Sequence, residues 1–229
     1  MAGRRQFLHT ITALGAAGLA GRASAARVPY DPAAKFSLKT TDVPFRRTEA
    51  GRPLLARVYQ PQGVGPFPVL LDLHGGGWYR KDRFANEPMD RAIAAAGTLV
   101  VAVDLRLSNE APYPASVQDA NYGVRWLKSK AAEWKGDAST LGVLGSSSGA
   151  HIGLLLAMRP RDPRYNAIAL PEAPTLDAAF AYLATRAPVS DPYARFLVSD
   201  KVGKQDLVKA SKAYFRPFDH IHEGNPQEI

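Results

Sequence analysis

No cysteine occurs among the 229 residues. Disulfides and thiolate-ligated metals are therefore excluded, and the redox compartment is left open. The apolar run nearest the N-terminus, Ile11 to Ala20, is too short and too rich in Gly and Ala to span a bilayer stably. No histidines and carboxylates stand at His-Glu-x-x-His spacing, so no metal is expected. A Gly-x-x-x-x-Gly-Lys-Ser/Thr loop is missing, and three successive glycines behind a histidine do not make a dinucleotide fingerprint, so no cofactor is expected. Internal repeats and low-complexity segments are missing as well.

The charge balance, +8 overall, invites a nucleic-acid reading that the distribution does not support. Leaving out residues 1–25 removes Arg4, Arg5 and Arg22 and no acid, which leaves 26 basic against 21 acidic residues. These charges are scattered, with no basic stripe interleaved with aromatics, and no nucleic-acid partner is expected. A composition of 46% hydrophobic and 22% charged residues is that of a globular domain with a sizeable core.

The first 25 residues have the parts of an export signal. Arg4-Arg5-Gln6-Phe7-Leu8 matches a twin-arginine pattern, the weakly apolar run follows, and Ala23-Ser24-Ala25 offers a small-residue cleavage site. The expectation is export by the twin-arginine machinery to the periplasm or beyond, with residues 26–229 as the folded domain.

Phe36 to Arg47 and Leu54 to Tyr59 carry short alternations around Glu49-Ala50-Gly51-Arg52, predicting an antiparallel hairpin. Pro61 to Pro68 reads as a loop. Val69 to Leu73 and Leu99 to Val103 read as strands buried on both faces. Between them Asn86 to Ala96 reads as a helix, with Asn86 as N-cap and Gly97 as its stop. Tyr113-Pro114-Ala115 opens the clearest helix. Val117, Ala120, Val124, Leu127, Ala131 and Trp134 recur at spacings of three and four, and Gly136 ends it. Leu141 to Leu144 is the next strand, and Ile152 to Met158 reads as helix. This alternation implies a doubly wound, mostly parallel sheet. Beyond Pro160, Arg161 to Pro174 reads as loop, Ala178 to Leu183 as a further strand and Gln205 to Tyr214 as helix, with 185–215 as a cap or lid segment.

Two glycine motifs carry the chemistry. Gly145-Ser146-Ser147-Ser148-Gly149 stands between a strand and a helix, which places Ser147 at the tip of a sharp turn with its hydroxyl exposed at a helix N-terminus. Gly145 and Gly149 fit because a side chain at either position would strike the neighbouring strand or helix. A serine hydroxyl is a poor nucleophile and needs both a base and donors for the oxyanion. The donors are read as the N–H groups of Ser148, Gly76 and Gly77, the last two from His74-Gly75-Gly76-Gly77-Trp78 after the preceding buried strand. His151, one turn from Ser147, is expected to fix a backbone group.

Together, His74-Gly75-Gly76-Gly77-Trp78, Asp104-Leu105-Arg106, Tyr113-Pro114-Ala115 and Gly145-Ser146-Ser147-Ser148-Gly149 resemble the α/β-hydrolase superfamily. The resemblance is closest to the esterase and lipase branch related to hormone-sensitive lipase, and it covers roughly Phe36 to Leu183. It implies an α/β-hydrolase fold with antiparallel N-terminal strands and hydrolysis of small or medium carboxylic esters through an acyl-enzyme on Ser147. His74 would orient the glycine loop. Leu105 departs from the Tyr or Phe usual there.

The same resemblance implies an acid and then a histidine after Ser147, each following a further core strand. Two such strands are not found in the remaining sequence, and the expectation is a chain without its last core strands, acid and base. The alternative takes Asp191 as acid and His220, or His222, as base. Two further alternatives are a hydrolase-like binding protein and a peptidase on the same scaffold.

Overall fold

The computed structural model describes residue 33 and residues 35–229; the expected export signal, residues 1–25, lies outside these. Six strands form one sheet in the order β1-β2-β4-β3-β5-β6. They are β1 (Leu38–Arg47), β2 (Pro53–Pro61), β3 (Phe67–Leu73), β4 (Leu99–Val103), β5 (Gly136–Ser146) and β6 (Leu183–Arg186). β1 and β2 pair antiparallel, as do β2 and β4. β4, β3, β5 and β6 run parallel. The expected mostly parallel sheet with antiparallel opening strands is therefore what forms.

Strand alternation sorts the core onto two faces. In β4, Leu99, Val101 and Val103 join one large apolar cluster, while Val100 and Ala102 join a smaller one. The large cluster takes Val117, Val124 and Leu127 of α2 (Ala115–Lys130) and Ile152, Leu155 and Leu156 of α3 (Ser148–Met158). The smaller one takes Ala94 of α1 (Glu87–Ala95), with Met89 and Ile93 packed beside it. Strands with both faces covered this way read as continuous apolar runs, which is why β3 and β4 were readable.

Several expectations are corrected. β5 starts at Gly136, well before Leu141, because the chain turns back directly after a 3₁₀ turn, Ala131–Trp134. A Cβ at Gly136 would lie 2.6 Å from Leu99 and 2.8 Å from Val69 side chains, so only glycine fits where the chain re-enters the sheet. The strand expected at Ala178 to Leu183 is instead Leu183–Arg186. β6 is an outer strand with mostly exposed residues, so it carries no apolar alternation. Asn86 precedes α1 but does not cap it with its side chain. Its amide donates to both oxygens of Asp72, at 3.0 and 3.1 Å. After β6 the chain forms α4 (Pro192–Lys201), α5 (Gln205–Tyr214) and α6 (His220–Glu223); α5 falls where helix was expected.

Among the described residues, no helix is long and apolar enough to cross a membrane.

Candidate active site

The site forms where two parallel strands end side by side. β3 and β5 pair with Leu73 opposite Gly145, so the loop after one and the turn after the other emerge at the same edge. Ser147 occupies that turn with φ 54° and ψ −114°. A non-glycine residue held there costs on the order of 1–3 kcal/mol, and the surroundings must enforce it. They do so through the backbone: Ser147 N donates to Arg186 O of β6 at 2.8 Å, and His151 N donates to Ser147 O at 3.1 Å.

The flanking glycines are steric necessities. A Cβ on Gly145 would lie 2.5 Å from Ala150 Cα. One on Gly149 would press onto Leu73 O and lie 2.5 Å from His74 O. Ser147 precedes the first residue of α3, yet its side chain makes no capping hydrogen bond. The hydroxyl is thus left at a helix N-terminus, where N–H groups and the helix dipole favour negative charge.

The glycine loop faces it. Gly76 has φ 116° and Gly77 φ 63°, and a Cβ on Gly76 would run into Arg80 O. Within the described residues neither Gly76 N nor Gly77 N donates a hydrogen bond. Gly75, Gly76, Gly77, Ser146 and Ser147 line one cleft of about 380 Å³.

The loop is locked from behind. His74 is buried, and its Nδ1 donates to Gly75 O at 2.7 Å, which sets the tautomer. Burial pushes its pKa down against that hydrogen bond. Trp78 stacks on Tyr214 with ring centroids 4.8 Å apart and donates from its indole to His151 Nδ1 at 3.3 Å. His151 is wholly buried and donates from Nε2 to Gly224 O at 2.6 Å. Burial pushes its pKa down to about 4, so it is neutral under ordinary conditions. It fixes a backbone carbonyl, as its place one turn from Ser147 suggested.

The residues of the alternative reading, Asp191 and His220, do not meet. Asp191 is the N-cap of α4. Its Oδ1 accepts from Ala194 N at 2.8 Å and from Asn225 Nδ2 at 3.1 Å. Asp-Pro is a helix-start signature, with the carboxylate on a free N–H and Pro192 in the first turn. His220 packs on Tyr113 at 6.2 Å between ring centroids, and its Nδ1 is buried without a partner. His222 Nδ1 lies 3.0 Å from Glu228. No hydrogen bond joins Asp191 to His220, and neither lines the Ser147 cleft. No described histidine or carboxylate lines it.

Sequence reasoning missed what else faces Ser147. The cleft is bordered by Arg80 and Lys81 from the glycine loop, Arg186 from β6 and Arg195 from α4. No motif marks them. Arg195 arrives because α4 folds back over Trp78, placing its guanidinium 5.4 Å from the indole centroid.

A strained serine at a strand–helix turn, facing a glycine loop on a doubly wound sheet, defines an α/β hydrolase of the esterase branch. Comparison with known proteins gives the family. The BD-FAE family model matches residues 57–223, and the chain belongs to that family. Carboxylesterase NlhH of Mycobacterium tuberculosis is 34% identical over 163 residues, covering 70% of this chain and 49% of its own length. Esterase LipI of the same organism is 35% identical over 114 residues, covering 48% of this chain and 36% of its own. The chain thus spans about half or less of these curated relatives. Among solved structures, esterase LipW from Mycobacterium marinum superposes with a TM-score of 0.54 at 30% identity, covering 68% of this chain and 45% of that one. Esterase B from Lactobacillus rhamnosis reaches a TM-score of 0.69 at 20% identity, covering 89% and 63%, and shows the shared fold.

Proposed function

We propose that this protein hydrolyses carboxylic esters of small or medium acyl groups through an acyl-enzyme on Ser147. The observation that carries the reading is the strained Ser147 backbone, which presents an uncommitted hydroxyl across a cleft from unpaired glycine N–H groups. Ser147 Oγ attacks the ester carbonyl carbon, and the carbonyl oxygen gains negative charge. The N–H groups of Gly76, Gly77 and Ser148 hold that charge, each contributing about 2.7–4 kcal/mol in sites of this kind. Collapse breaks the bond to the leaving oxygen, which departs as the alcohol with the proton that Ser147 Oγ gives up through solvent water; the acyl group stays on Ser147, and a second water releases it as the acid.

Asp191 and His220 act on the fold in this reading. A nucleophile with its oxyanion donors but no base retains roughly 10³–10⁴-fold catalysis over water. Activated esters and phosphonates therefore report on Ser147 most directly. The carboxylesterase and esterase relatives support the reaction class. Treatment with an aryl phosphonate, read by peptide mass spectrometry, should give one adduct, on Ser147, and the Ser147→Ala variant should lose hydrolysis of p-nitrophenyl acetate. An adduct on another serine, or hydrolysis indifferent to Ser147→Ala, would overturn the assignment.

Export by the twin-arginine route is proposed from Arg4-Arg5 and Ala23-Ser24-Ala25. N-terminal sequencing of exported protein should begin at Ala26, and an intact Met1 on exported protein would refute it.

A further inference from the structure

Among the described residues, the charges lining the Ser147 cleft all have one sign. Arg80, Lys81, Arg186 and Arg195 line the cleft, and among the described residues no carboxylate does. Many arginines elsewhere are matched: Arg46, Arg52, Arg57, Arg83, Arg106 and Arg164 each hold a carboxylate. Within the described residues, none of the four cleft cations makes a side-chain hydrogen bond or ion pair, although Arg80 and Arg195 lie against Tyr79 and Trp78 rings.

Arg195 is the most telling of the four. Its Nη1 is shielded from solvent and has no hydrogen-bond partner. A guanidinium cannot shed its proton to escape that situation, so an unpaired buried nitrogen is costly until an acceptor arrives. The aromatic face of Trp78 holds the group in place and offers no lone pair in the plane of the fork. Trp78 also ends the glycine loop, so Arg195 is positioned relative to the oxyanion donors by direct contact. The three exposed cations at the rim add a positive field that would draw an anion toward Ser147.

We propose that the cleft selects esters whose acyl or alcohol portion bears a carboxylate, with Arg195 holding that carboxylate while the ester lies against Ser147. The ester half of this inference rests on the hydrolase reading, and the anion half rests on the cleft itself. A carboxylate matches the planar two-donor fork of a guanidinium, whereas a neutral amide of the same shape leaves one donor facing another.

The test uses two isosteric pairs: 4-acetoxybenzoate against 4-acetoxybenzamide, and methyl hydrogen terephthalate against methyl 4-carbamoylbenzoate. The first pair places the anion on the alcohol side and the second on the acyl side. Binding is measured by calorimetry on the full chain carrying Ser147→Ala, and hydrolysis on the unaltered chain. At least one pair is expected to show the carboxylate bound about tenfold or more tightly, as one charge-assisted pair supplies. Added salt should narrow that gap. Arg195→Met should reduce it to under threefold, and Arg195→Lys should retain an intermediate preference. Near-UV circular dichroism checks that the variants fold. If Arg195→Met does not fold, the unaltered cleft still decides through the isosteric pairs. Equal binding within both pairs, or a preference unchanged in folded Arg195→Met, would overturn the proposal. Preferential binding without Ser147-dependent turnover would support the anion site and count against the hydrolase reading instead.

Discussion

Replacing Asp90 by asparagine should make the protein less sensitive to alkali. Asp90 lies in the first turn of α1 with no exposed surface, and neither carboxyl oxygen has a hydrogen-bond partner. Across from it, Asp72 of β3 is equally buried and takes only the Asn86 amide. Burial pushes the Asp90 pKa up to about 8, with the nearby Asp72 and Glu87 carboxylates adding to the rise. Burial likewise pushes Asp72 up to about 7, against the Asn86 hydrogen bond. A carboxyl raised on folding keeps its proton in the native state when the unfolded chain has already lost it. Its contribution is fully present below about pH 4 and is lost as pH climbs to the folded value.

The loss runs at about 1.4 kcal/mol per pH unit for a carboxyl that stays protonated only in the native state, so the Asp72–Asp90 pair removes roughly 2–3 kcal/mol between pH 5 and pH 7. Asp90→Asn keeps the shape and deletes the titration. Urea unfolding of both proteins at each pH from 5 to 8 should show the variant's advantage growing by that amount over those two units. In thermal unfolding the same gain is about 5–10 °C for a chain of this size. Groups remote from Asp90 are common to both proteins and cancel in the difference, whereas Asp72, which faces it, loses a like-charged neighbour in the variant and adds to the gain. An advantage that stays constant within about 0.5 kcal/mol across the range would refute the reasoning.

Three other substitutions test the site and its support. Gly76→Ala forces a side chain onto Arg80 O at φ 116°; Ser147 phosphonylation should slow about 10²–10³-fold, the value of one oxyanion donor, and an unchanged rate would remove Gly76 from the hole. Asp119→Ala strips a fully buried carboxylate from Arg106, which it holds through two 3.1 Å bonds, and from Arg46. Stability should fall by about 3–5 kcal/mol in urea unfolding, because buried guanidinium charge is left behind, and a loss under 1 kcal/mol would sink that account. Asp191→Ala should cost about 1 kcal/mol, the worth of a helix N-cap. Loss of Ser147 labelling in a variant that still folds would return Asp191 to catalysis.

The glycine motifs were legible because their demand is local. At Gly145, Gly149 and Gly76 a single Cβ is enough to break the geometry, so the residue type reports the conformation. β4 and α2 were legible through apolar content and period. What was illegible depends on distant parts of the chain. Asp72 sits in an apolar run and faces α1, where Asn86 and Asp90 meet it; nothing in the run itself announces a buried acid. Asp191 followed a segment expected to be strand, and chain order alone suggested catalysis, whereas the Asp-Pro pair was signalling a helix start. Arg195 reaches the cleft only because α4 packs over Trp78, more than one hundred positions earlier in the sequence. No spacing rule encodes that.

The pairing of Leu73 with Gly145 bears on how the chain tolerates change in length. About seventy residues separate the two positions along the chain, yet they stand one strand spacing apart, about 4.8 Å. Insertions in the intervening surface loops leave that spacing alone, and each doubling of a flexible loop adds only about 0.6 kcal/mol of closure entropy. Removing one residue within β5 is a different event. It shifts the strand by a single position and turns every side chain to the opposite face, so Ser147 would no longer stand opposite the glycine loop. Length is therefore free to drift between the strands and fixed within them.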